Sequence, residues 1–346
     1  METQTAITLV PQELIIGISL AGGAFLLAFL LTPIYTYLAY RYKFWKKQRE
    51  TSTTGEILKV FTKLHEDKFK RNIPTMAGII TVVSVTVVTF TLNFDRAQTW
   101  LPLAALIGGG AVGLLDDVIN IRGSGKGVAG LRSSVKFLMI TVLGLVLGWF
   151  FSVKLGYDSI HMPFGGDWIV GWWMIPLFAF AVVAAGNAVN ISDGLDGLAG
   201  GLSAIAFGAF GVIAMLQGHF LLAGFCLTVL GALLAYLWFN IFPARFFMGD
   251  VGSFALGTTL GVVAMLTNSF FLLPVIAIVF VVEAGSSLVQ ILSKRFLHRK
   301  VFISAPIHHH LEAIGWPETK VTMRFWVIAI VAAISGVWIA LTGGYI

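Results

Sequence analysis

TWLPLAALIGGGAVGLLDD, residues 99–117, sets seventeen uncharged and mostly apolar residues against two adjacent carboxylates. A membrane-crossing helix needs about 20 predominantly apolar residues, and an acidic pair belongs to such a helix only at its end or at a site that uses it. Outward from this stretch the same pattern recurs. Apolar runs bounded by charge, Pro or Gly predict ten helices, near 14–40, 75–93, 99–115, 134–152, 169–188, 197–217, 219–239, 251–268, 270–292 and 324–342. The composition agrees: of 346 residues 57% are hydrophobic and 12% charged, with 28 Phe and 10 Trp, against roughly 25% charged in a soluble domain. A soluble globule, a disordered chain, collagen and a coiled coil are all excluded. The reading is an all-α integral membrane protein, one polytopic unit over 1–346 with little room for a separate soluble domain.

Charge sets the orientation. The N-terminal segment has no Lys or Arg before Arg41, and its first apolar run is too long for a cleaved leader, so it reads as a retained helix entered from outside. Ten spans then place 41–74, 116–136, 189–196, 240–250 and 293–324 on one side, holding 21 of the 23 Lys and Arg. Only Arg96 and Lys154 fall opposite. The positive-inside rule makes the basic side cytoplasmic and puts both termini outside. The net charge of +6 therefore reports orientation and contact with the lipid bilayer, and no nucleic acid partner is expected. The single cysteine, Cys226, lies in an apolar run and offers neither a disulfide framework nor a Cys-based metal site.

The residues with chemical potential gather on the basic side. Asp116 and Asp117 end the third predicted helix, where the helix dipole opposes negative charge; a solvated helix end and a Mg²⁺ or phosphate site both fit the pair, and the dipole argument favours the site. In NAVNISDGLDGLAGG, residues 187–201, Asn187, Asn190, Asp193 and Asp196 recur every three residues and would share one face if the segment is near-helical. Helix capping accounts for one of these Asp, whereas spaced polar groups suit recognition of a nucleotide or sugar. In WFNIFPARFFMGDVGS, residues 238–253, Asn240, Phe247 and Asp250 share a short loop. Asp250 reads either as the N-cap of the eighth helix or as a metal ligand, and Phe247 or Phe246 could stack on a base. In APIHHHLE, residues 305–312, His308, His309 and His310 lack the cysteines and spaced His pairs of a structural zinc site. Imidazoles there suit a phosphate or pyrophosphate, with a solvated loop as the plain alternative. Lesser candidates are Lys70 and Thr75 before the second helix, Lys126 and Lys136 after the third, and Gln290 and Glu283 in the ninth. Glu283, deep in an apolar span, reads by location as a site residue and equally as a satisfied partner between helices.

Taken in order, these motifs resemble the polyprenyl-phosphate N-acetylhexosamine-1-phosphate transferase superfamily, from about Lys70 to Val327. The stretch APIHHHLEAIGWPE, followed by Lys320-Val321 and Arg324-Phe325-Trp326, is similar to its muramoyl-pentapeptide branch. The resemblance implies ten transmembrane helices with the active site at the cytoplasmic face of a bacterial inner membrane. It also implies a Mg²⁺-dependent reaction of UDP-N-acetylmuramoyl-pentapeptide with undecaprenyl phosphate, giving the lipid-linked sugar and UMP, and a homodimer. By the same resemblance Asp250 is the Mg²⁺ ligand, Asp117 handles the proton of the lipid phosphate, Asp116 supports phosphate or metal, and His309 joins them as a catalytic candidate. Asn190, Asp193, Asp196, Asn240 and Phe247 match positions lining the uridine and sugar-phosphate pocket. Lys70, Thr75, Lys126, Lys136, Asn187, Gln290, His308 and His310 complete the substrate-binding set.

The chain departs from the family pattern at Asn72-Ile73-Pro74-Thr75-Met76-Ala77-Gly78, where Gly-Thr-Pro-Thr-Met-Gly-Gly is usual. It departs again between Gly123 and Ser134, keeping Lys126-Gly127 and Lys136 without the usual aromatic. The competing readings are a sister enzyme that uses UDP-N-acetylglucosamine, against which the APIHHH loop argues, and a transporter. Transporters place their sites near the bilayer midplane, whereas here only Glu283 lies deep.

Overall fold

Helices carry nearly all the regular structure, because each apolar run satisfies its backbone polar groups internally, the only solution open to a single segment in hydrocarbon. The computed structural model describes residues 6–45, 72–123 and 130–346. Its helices are α1 (Ala6–Arg41), α2 (Gly78–Leu92), α3 (Trp100–Arg122), α4 (Ser133–Trp149), α5 (Met174–Ser192), α6 (Leu198–Leu216), α7 (Phe220–Asn240), α8 (Gly249–Leu266), α9 (Leu273–Ile276), α10 (Ile278–Leu292), α11 (Ile307–Ala313) and α12 (Glu318–Thr342). Eight of them, α1, α3 to α8 and α12, are long and apolar enough to cross a membrane. The expected second span is the 15-residue α2. The expected ninth is two pieces, α9 and α10, separated at Ala277, whose φ of −96° and ψ of 27° leave the helical region.

The axis of the bundle is α8, buried along 94% of its span, against 22% for α1 and 28% for α12. A helix apolar on every face belongs in the interior, and α8 is lined on both sides by α3 and α5. The peripheral helices keep large apolar side chains outward, such as Leu30 on α1 and Trp338 on α12, as a lipid-facing surface requires.

Two features differ from the sequence reading. The all-α expectation omits a small antiparallel hairpin, β1 (Ser159–Met162) with β2 (Gly166–Ile169), paired from Ser159 with Ile169 to Met162 with Gly166. Pro163 and Gly165 supply the turn chemistry between two short half-apolar strands. More consequentially, α3 does not end at residue 115. Val118 and Ile119 continue the helix to Arg122, a basic residue suited to its last turn. Asp116 and Asp117 are therefore inside a helix and buried, at 2% and 0% exposure, and the argument from a helix C-terminus does not apply to them.

Candidate active site

At the end of the bundle where α3 and α5 finish and α8 begins, a cleft of about 490 Å³ opens. Its construction starts with how closely α3 can approach α8. A side chain at Gly113 would place its Cβ 2.0 Å from the Asp250 carbonyl oxygen, so only glycine permits this crossing. One turn further along α3, Asp116 faces the first turn of α8, where Asp250 sits with the favourable sign for the dipole. Lys136, from the first turn of α4, joins the two carboxylates: its Nζ donates to Asp116 Oδ2 at 3.2 Å and to Asp250 Oδ2 at 3.0 Å. Asp116 Oδ1 accepts the Leu131 N–H at 2.6 Å. Buried carboxylates require this kind of compensation. Asp117 lies one layer behind, outside the cleft lining, where Oδ2 accepts the Val251 N–H at 3.0 Å and so fixes the start of α8.

The opposite wall comes from the end of α5 and the turn that follows. Asn190 lines the cleft and donates from Nδ2 to Ser253 Oγ at 2.9 Å. Asp193, at the C-terminal end of α5, also lines it. The three-residue spacing is only half expressed. Asn187 spends its Nδ2 on the Val183 carbonyl one turn back, at 2.8 Å. Asp196 is buried behind the wall, its Oδ2 accepting the Ala244 N–H at 2.9 Å and its own N–H donating to Glu318 Oε1 at 2.6 Å. Asn240 lines the cleft while bracing it, accepting the Gly197 N–H at 3.0 Å and donating to the Phe246 carbonyl at 2.8 Å.

The floor combines two segments distant in sequence. The Phe247 N–H donates to the Pro74 carbonyl at 2.8 Å, and Ala77 N–H to the Phe247 carbonyl at 3.0 Å. Thr75 is tied by its N–H to the Phe44 carbonyl at 2.7 Å, and its own carbonyl accepts the Tyr35 hydroxyl. The unusual Asn72–Gly78 stretch is thus held in place by backbone bonds. Of the two aromatic candidates, Phe247 lines the cleft, whereas Phe246 is core, against Tyr35, Tyr236 and Phe239.

The third wall is α11, which places His308 and His309 at the cleft. His309 Nδ1 lies 2.8 Å from Glu312 Oε2. Burial, reinforced by the neighbouring His308, pushes the His309 imidazole down to about 4, so it is neutral at pH 7. His310 turns away, its Nδ1 accepting the Ile303 N–H at 3.2 Å. Gln290 holds the same loop, accepting the Val301 and Phe302 N–H groups at 3.0 Å and donating to the Phe302 carbonyl at 2.9 Å. Lys70 and Lys126 lie outside the described residues. The sequence reading missed Trp45 and Asn120 as cleft residues. Asn120 was within reach of it, being four residues beyond Asp116 and so on the same face of a helix that continues.

Ten of the candidates therefore converge on one cleft: Thr75, Asp116, Lys136, Asn190, Asp193, Asn240, Phe247, Asp250, His308 and His309. A pair of carboxylates sharing one cation, faced by neutral amides, an aromatic and two imidazoles, is equipped to hold a phosphorylated ligand through a positive charge. Comparison with known proteins points the same way. Residues 99–268 match the profile of glycosyl transferase family 4. A phospho-N-acetylmuramoyl-pentapeptide-transferase of Chloroflexus aggregans is 38% identical over 96% of this chain and 92% of its own length. The Geobacillus thermodenitrificans protein of that name is 38% identical over 95% and 98%, and the Levilactobacillus brevis one 37% over 79% and 85%. With this identity sustained across nearly the whole chain, the protein belongs to the phospho-N-acetylmuramoyl-pentapeptide-transferase family.

Proposed function

We propose that this chain transfers phospho-N-acetylmuramoyl-pentapeptide from UDP to undecaprenyl phosphate, giving UMP and the lipid-linked sugar of peptidoglycan synthesis, in a Mg²⁺-dependent reaction at the cytoplasmic face of a bacterial membrane. The observation that carries it is the convergence of Asp116 and Asp250 on a single ammonium, Lys136 Nζ, within a cleft of a chain 38% identical to transferases of that name. The orientation rests on the basic residues, 21 of 23 of which fall on the cleft side of a ten-span reading. In that reading α2, and α9 with α10, supply the two spans beyond the eight long helices, and the termini lie outside.

The donor set fits Mg²⁺. This ion takes one or two carboxylates and fills the rest of its octahedron with water and substrate phosphate. Asp116 and Asp250, whose Oδ2 atoms meet at Lys136 Nζ, are the two carboxylates that would hold it. When bound, such an ion would neutralise charge on the phosphate oxygens. The chain's own residues do the positioning. Asp250 and Asp116 fix the anionic side of the cleft, and Lys136 holds them at a set spacing. Asn190, Asp193, Asn240 and Phe247 offer amide, carboxylate and aromatic contacts to the nucleotide. An oxygen of the lipid phosphate forms a bond to the sugar-bearing phosphorus, the bridging P–O bond breaks, and UMP leaves. In-line placement of the two phosphates is the main demand of such a step.

The test is UMP release by the purified protein with undecaprenyl phosphate, comparing UDP-N-acetylmuramoyl-pentapeptide with UDP-N-acetylglucosamine, with and without EDTA. Release from the first donor alone, abolished by EDTA, is the expected result. Release from the second alone moves the chain to the sister activity, and release insensitive to EDTA removes the metal.

A further inference from the structure

Glu283 is an ionisable residue at 0% exposure in the middle of α10. Its Oε2 lies 2.7 Å from Nδ1 of His308, which is also fully buried at its own position on α11. The two helices are fastened at this point. The Ile307 N–H that starts α11 donates to Ser286 Oγ at 2.9 Å, and Ser286 Oγ donates back to the Glu283 carbonyl at 2.8 Å. The ring of His308 is thereby held between Glu283 on one side and the Asp193–Leu195 turn on the other. A Cβ on Gly194 would lie 2.3 Å from His308 Nε2, so glycine is required there for the ring to reach the cleft wall. A carboxylate buried in an apolar span is a poor stabiliser: its desolvation cost is large, and an apolar replacement is often neutral or better. Glu283 Oε1 has no hydrogen-bond partner among the described residues, which adds to that cost. The arrangement therefore calls for a purpose other than stability.

We propose that Glu283 is a positioning residue for the transfer reaction, holding the Nδ1–H of His308 so that the ring, its buried Nε2 edge packed against Gly194, fixes the Asp193–Leu195 turn where that turn lines the cleft. The reading rests on the function proposed above. A carboxylate on one ring nitrogen fixes both the tautomer and the rotation of the imidazole and makes the ring more basic. His309, whose ring centroid is 4.1 Å away, has its own hydrogen-bonding partner in Glu312 and also interacts electrostatically with Glu283.

The test uses Glu283→Gln, which keeps the size and an acceptor oxygen but removes the carboxyl group, together with His308→Asn and the double variant. Glu283→Gln should lower kcat about 10- to 100-fold, the usual cost of losing such an outer partner, with the donor's KM held within about threefold. The double variant should be no slower than His308→Asn alone, because Glu283 acts only through the ring. The melting temperature of Glu283→Gln should match or exceed that of the wild type. In ¹⁵N-histidine spectra the signal lost in His308→Asn should shift in Glu283→Gln, a readout that needs no substrate and so stands apart from the identity of the donor. Wild-type turnover in Glu283→Gln, a loss that multiplies that of His308→Asn, or an unchanged His308 signal would each overturn the proposal.

Discussion

The two ends of the helix bundle use their polar residues in opposite ways. At the hairpin end, His161 Nδ1 lies 2.7 Å from Asp167 Oδ1 and Nε2 lies 2.9 Å from the Gly343 carbonyl. The His161 N–H donates to Asn268 Oδ1 at 3.0 Å, and the Tyr345 hydroxyl donates to the His161 carbonyl at 3.2 Å. One residue thus joins the hairpin, the loop after α8 and the segment after α12, through both its ring and its backbone, and the contacts close on one another. At the cleft end, Lys136, Asp116, Asp250 and His309 also have protein partners, but these four side chains line a cavity. Satisfied polar groups close one end and preorganise the other. The difference lies in whether the backbone leaves space between them.

Substitutions at the two ends should separate accordingly. The largest effect is expected from Asp250→Asn or Asp116→Asn, each of which removes charge from the Lys136 cluster. Turnover should fall by about 10³-fold or more, measured as UMP release, while circular dichroism and melting remain those of a folded protein. Wild-type activity in either variant would remove that residue from the site. Lys136→Met should follow, losing about 10²-fold in kcat/KM, because the two carboxylates then repel each other without their shared ammonium. At the hairpin end, His161→Ala should do the reverse. It should destabilise the protein by about 1–3 kcal/mol through lost buried hydrogen bonds, seen as a lower melting temperature, and leave kcat within about twofold of the wild type. A large kcat loss there would mean that the two ends are coupled.

The smallest expected effect is a pH dependence. His309 is held at about 4 in the folded protein, below the roughly 6.5 of an unfolded histidine. The depressed group contributes stability that is present above the unfolded value and lost as pH falls towards the folded one. Between about pH 6.5 and 4 the unfolded chain binds a proton that the folded chain refuses, at up to roughly 1 kcal/mol per pH unit. Melting curves of His309→Gln should be correspondingly flatter across that window than those of the wild type.

Class and cast were both legible in the amino-acid sequence. Ten apolar runs and a one-sided charge distribution carry the membrane reading because hydropathy and length are local properties, summed over about twenty residues without reference to neighbours. The motifs named ten residues that meet at the cleft, because acids, amides and imidazoles in an apolar chain are too costly to place without use. Tertiary structure alone decided the rest. That Asp116 and Asp117 lie within a helix depends on α3 running on through Val118 and Ile119 to Arg122, with Asn120 buried beside them. That Asp196 braces a loop while Asp193 lines the cleft depends on Ala244 and Glu318, 48 and 122 residues away. The choice of Phe247 over Phe246 depends on which ring the core of Tyr35, Tyr236 and Phe239 accepts. The pairing of Glu283 with His308 crosses 25 residues and two helices. A sequence fixes which groups are present; which atoms face one another follows from contacts between segments whose separation no local pattern encodes.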